Sequence, residues 1–132
     1  MNPELTSHVD LENRVLEKLL AGNHPILEAL RLQIEGGSVR SREFTVVGFF
    51  TKLSPSHGAR RAPTQRDRLH IGGVYADIPG LRNGAGFILF VTNGYLDLLE
   101  GFCYDEAWPA QVRGARPYYA GPRERDPAAI DA

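Results

Sequence analysis

Glu100 and the residues that follow it, EGFCYDEAW, form the densest set of side chains in this chain that could do chemistry. Two carboxylates within reach of one another, such as Glu100 with Asp77 or Asp105, could work as an acid/base pair in a hydrolase-like reaction. Carboxylates beside aromatic rings, here Glu100, Asp105 and Glu106 with Tyr104 and Trp108, suit a different role, the capture of a cationic ligand or a basic partner surface. The candidate binding residues are therefore Glu100, Asp105, Trp108, Tyr104 and Asp77. No catalytic residue is assigned.

Other chemistries have less support. His70 and Cys103 are the nucleophile and base types expected on strands, but no local motif accompanies them, and a lone strand cysteine usually behaves as a small buried hydrophobe. His8, His24, His57 and His70 are scattered without metal-ligand spacing, so no metal is expected. Gly84-Ala85-Gly86 leads into a strand, whereas phosphate-cradling glycines lead from a strand into a helix. No cofactor is expected, and the balance is against an enzyme. The alternative kept open is a small-molecule-binding protein or hydrolase-like enzyme with Glu100 as a pocket carboxylate.

These side chains must be positioned by a hairpin. Asn93-Gly94 is the strongest short turn signal, because both central residues of a type I′ turn need positive φ. Strands at 86–92 and 95–103 follow. With a two-residue loop and regular pairing, Phe87 faces Glu100, and one hairpin face carries Phe87, Leu89, Val91, Leu96, Leu98, Phe102 and Glu100. That face is expected to be the core. Glu100 on it must pair, hydrogen-bond or reach water, and Gly101 beside it would let another group approach. The second face, with Ile88, Phe90, Thr92, Tyr95, Asp97 and Leu99, is more apolar than a solvated surface needs. The expected cover is the segment around Trp108, Tyr118 and Tyr119; the alternatives are a second copy of the chain or another protein.

The rest of the chain supplies the support. Thr6 or Ser7 caps a helix over about 7–21, and Pro25 opens a second that ends at Gly36-Gly37. Residues 42–53 read as a strand in which Gly48 marks a bulge or a close backbone approach, and 70–78 as another. Two helices packed on a mainly antiparallel sheet of about four strands make an α+β domain over 1–120. Within it, residues 54–68 read as a flexible basic loop, and 121–132 as a frayed tail.

Composition bounds the role. The chain has 132 residues and a formal charge of -1, which fits one domain and gives no global attraction to nucleic acid or anionic lipid. Arg60, Arg61, Arg66 and Arg68 come without a recognition helix or a basic aromatic strand motif, which speaks further against nucleic acid. No apolar run is long enough to span a bilayer. The N-terminus lacks the basic and apolar pattern of a secretory signal, and Cys103 stands alone, so a cytoplasmic location is expected.

The succession GFFT at 48–51, DIPGLRNGAGFILFVTNGYLDLLEG at 77–101 and WP at 108–109 resembles a group of small bacterial α+β proteins with a glycine-rich lead-in to a hairpin and an LEG-type ending. Domains of this general appearance are associated with bacterial toxin and immunity systems. The resemblance implies an immunity-like binding role and carries over no active site. The expected function is a non-enzymatic binding or protein-interaction domain whose partner is a protein or small ligand, with a homodimer as a compatible arrangement.

Overall fold

The computed structural model describes residues 4–120; the tail expected over 121–132 lies outside them. Helix α1, His8–Leu19, starts where Ser7 adopts an extended backbone and its side chain accepts the Asp10 N–H. The Asp10 carboxylate reaches back to the N–H and hydroxyl of Thr6. These bonds satisfy donors that a helix start would otherwise leave unpaired. Leu11, Val15, Leu16 and Leu19 recur at helical spacing and are buried. In α2, Pro25–Ile34, the proline occupies the first turn and His24 Nδ1 accepts the Ile26 N–H.

Both helices cover one face of a six-stranded antiparallel sheet of order β1-β2-β5-β4-β3-β6. The strands are β1 Ser38–Phe44, β2 Gly48–Ser54, β3 Arg68–Asp77, β4 Ala85–Thr92, β5 Tyr95–Cys103 and β6 Arg116–Tyr119. The α+β class with an antiparallel sheet is as expected, and the strand number is six rather than about four. The single strand expected over 42–53 is instead a hairpin, with Gly48 opening its second arm. A Cβ on Gly48 would lie 2.0 Å from the Gly101 carbonyl oxygen, so the close backbone approach expected at this glycine is present. The sixth strand, Arg116–Tyr119, pairs with β3.

The core gathers Phe49 and Leu53 of β2, Ile71, Val74 and Ala76 of β3, Phe87, Leu89 and Val91 of β4, and Leu96 and Leu99 of β5 against the helices. Polar Gln33 is fully enclosed with them. The Gln33 amide donates to the carbonyls of Arg60 (2.9 Å) and Gly94 (2.8 Å), and its oxygen accepts the Leu96 N–H (2.9 Å). Three bonds answer the requirement that a buried polar group be paired. They also tie α2 and the 54–68 loop to the hairpin turn, where Ala62 N–H donates to Gly94 and Arg61 Nε to Asn93.

Candidate functional site

The hairpin turn is as expected: Asn93 and Gly94 have φ of 52° and 80°. Thr92 pairs with Tyr95 and Val91 with Leu96, after which the register shifts and Phe90 pairs with Leu98. Asp97 is the extra residue of this β-bulge. One inserted residue turns every later side chain of the strand to the other face. Ile88 therefore pairs with Glu100, and Phe87 with Gly101. The expectation that Glu100, Leu98 and Phe102 belong to the core face is corrected: they lie on the opposite face, and Leu99, Gly101 and Cys103 point inward. The inward place expected for Glu100 belongs to Gly101, where a Cβ would meet the Phe49 ring at 2.1 Å.

Among the described residues no helix lies over the second face. Its middle row runs Glu43, Phe50, Glu100 and Ile88, and a neighbouring row runs Ser41, Lys52, Leu98, Phe90 and His70. His70 meets Phe90 edge-on at 4.7 Å, Phe102 meets Tyr104 at 5.6 Å, and Tyr75 stacks on Tyr118 at 6.3 Å between ring centres. Gly86 supplies the floor for Phe102 and Tyr104, whose atoms lie 2.7–3.1 Å from where its Cβ would stand. Burial and the neighbouring Tyr75 and Tyr118 hold the Tyr104 phenol above the usual tyrosine range. The expected cover is not there. Tyr118 extends this face as part of an edge strand, Tyr119 turns to the helix side and donates to the Lys18 carbonyl, and the Trp108 ring packs on Phe49, also on the helix side.

The candidate residues therefore separate. Glu100 and Tyr104 share the uncovered face, whereas Trp108 lies on the other side of the sheet. Asp105 is exposed in the turn after β5 with φ 53°, and Asp77 stands at the end of β3 opposite Arg116. Glu106 is committed to holding the chain together, since its carboxylate accepts the N–H groups of Arg82 and Asn83, which lower its pKa. Cys103 is buried, its thiol directed at the carbonyls of Val47 and Glu106, and burial followed by the Glu106 charge pushes its pKa up.

A second constellation, on the helix side, escaped the sequence reading. Glu12 of α1 is buried and accepts from Arg42 at 2.7–3.2 Å, from the Thr51 hydroxyl, and from His8 Nε2 at 2.8 Å. Burial alone would raise the Glu12 carboxyl, but the bonds from His8, Arg42 and Thr51 outweigh it and bring the pKa to about 2. His8 sits edge-on to Phe49 at 4.4 Å and Phe44 at 4.9 Å. This arrangement clamps α1 to β1 and β2. The signal was legible in retrospect, since Glu12 falls within the stripe formed by Leu11, Val15, Leu16 and Leu19.

Clefts of about 590, 200 and 430 Å³ open on this side. The first lies between α1 and α2 near Leu16, Leu20, Arg31 and Ile34, the second continues it toward Leu53 and Leu96, and the third lies by His8, Phe44, Trp108 and Arg113. Glu100 lines none of these. Among the described residues no group of three or more His, Cys, Asp or Glu side chains could hold a metal, and no helix is long and apolar enough to cross a membrane. No family model, curated protein or solved structure matches the chain.

Proposed function

We propose that this chain is a non-enzymatic protein-interaction domain that docks another protein on the helix-free face of its sheet. The observation that carries this reading is an aromatic and aliphatic surface that no described helix covers: half-buried Phe50, Ile88, Phe90, Leu98 and Phe102 in the middle, with half-buried Tyr75 and exposed Tyr104 and Tyr118 to one side. Contiguous apolar surface of this kind marks association sites, and aromatic residues are enriched among binding hot spots. The sheet edges make poorer docking sites. β1 carries a bulge between Val39 and Ser41 and two arginines, and β6 is four residues long; these features resist edge-to-edge pairing.

A small-ligand or hydrolase site built on Glu100 has less support, because that carboxylate stands on a sheet face and lines none of the three clefts described above. An immunity-like role fits a domain that works by covering a partner, and rests on the resemblance alone. The test is a photoreactive benzophenone placed at Phe90, on the docking face, and separately at Leu32, which is exposed on α2. In extracts of the source cells, position 90 is expected to capture one protein and position 32 none. Equal capture at both positions, or none at 90, would overturn the reading.

A further inference from the structure

The strand beside Glu100 carries a lysine, yet that lysine is engaged elsewhere. Register places Phe50 opposite Glu100 and Lys52 opposite Leu98. The bulge residue Asp97 takes the Lys52 ammonium on one oxygen and the Thr92 hydroxyl on the other. The same inserted residue thus turns Glu100 outward and engages the lysine of the neighbouring strand.

Glu100 is left half-buried among Phe50, Ile88, Leu98 and Phe102, with no ion pair or side-chain hydrogen bond to any described residue. A carboxylate in apolar company is incompletely hydrated and attracts an arriving cation more strongly than it would in open water. Glu43 stands two strands away on the same row, roughly 10 Å at ordinary strand spacing, too far to share one cation. A guanidinium fits this place better than an ammonium, because its plane can lie on the Phe50 ring while its edge donates to the carboxylate, and it is more weakly hydrated.

Resting on the reading that the uncovered face is the docking surface, we infer that Glu100 and the Phe50 ring receive an arginine side chain of the partner protein. Glu100 is then the specificity-determining residue of that face. The arginine needs no rearrangement of the sheet, since Phe50, Glu100 and Phe102 occupy adjoining positions of paired strands.

The full chain, labelled for aromatic and methyl NMR, is titrated with N-acetyl-arginine amide and with N-acetyl-citrulline amide, which has the same shape without the charge. Arginine amide is expected to give saturable shifts at Phe50, Ile88, Leu98 and Phe102; citrulline amide is not. Glu100→Gln should weaken the arginine response by roughly tenfold, the scale of a lost charged hydrogen bond. Asp97→Asn frees Lys52 to turn toward Glu100 and should also weaken it, with the amide spectrum of the fold retained. A linear, unsaturable response, an equal response to citrulline amide, or unchanged affinity in Glu100→Gln overturns the assignment. So does sedimentation that finds a dimer abolished by Phe90→Lys, since the face would then be occupied by a second copy. If arginine amide fails while the probe at position 90 still captures one protein, the arginine assignment falls and the docking reading stands; if both fail, both fall.

Discussion

Replacing Glu12 with glutamine should lower the stability of the fold by about 3 kcal/mol at neutral pH, a magnitude reached by two routes. The Glu12 side chain is 3% exposed and its partner Arg42 is 30% exposed. Removing one member of a buried ion pair costs about 3–5 kcal/mol, and the partial access of Arg42 to water puts this case at the lower end. Independently, the carboxyl is held at about 2 against an ordinary 4.5, and that difference at roughly 1.4 kcal/mol per pH unit is also about 3 kcal/mol. The depressed folded-state value fixes the sign: the contribution is complete above the ordinary value and is lost as pH falls through it toward 2. Urea unfolding at pH 7 should show a midpoint lowered by about 2 M for an m-value near 1.5 kcal/mol/M. On acidification below pH 4.5 the stabilities of the parent and variant should converge. A midpoint change under about 0.5 M, or a difference undiminished at low pH, would refute the reasoning.

Four further substitutions test the fold that positions the face. Gln33→Leu leaves the Leu96 N–H and the Arg60 and Gly94 carbonyls without the Gln33 partner, and should lower stability by about 2–3 kcal/mol with faster amide exchange at Leu96. Gly101→Ala drives a methyl into the Phe49 ring and should cost about 1–3 kcal/mol in thermal unfolding. Gly48→Ala should cost more, since the opposing atom is a backbone oxygen that cannot rotate away, whereas Gly72→Ala, with nothing nearer than 3.9 Å, should stay within about 0.5 kcal/mol of the parent.

Local rules made much of the fold legible. Ser7 with Asp10, Pro25 and Asn93-Gly94 each do in the structure what their backbone chemistry implies, because caps and type I′ turns are decided within a few residues. The face assignment on β4 also follows from alternation, with Phe87, Leu89 and Val91 inward. The failure lies at Asp97. A bulge carries no strong local signature, and its polar side chain is held by Lys52 on a strand more than forty residues earlier, so only tertiary context reveals it. That one residue moved Glu100 from the expected core to the uncovered face. Trp108 failed differently: nearness in sequence to Glu100 suggested one binding site, but the chain turns after Cys103 and delivers the indole to Phe49 on the far side. Glu12 and Arg42 went unread because their pairing joins a helix to an edge strand thirty residues away.

Cross-strand NOEs between β4 and β5 most directly test whether Glu100 belongs to the uncovered face. Expected are backbone contacts pairing Ile88 with Glu100, Phe87 with Gly101 and Phe90 with Leu98. Contacts pairing Phe87 with Glu100 and Phe90 with Asp97 would restore the unbulged register, return the carboxylate to the core, and contradict the docking surface.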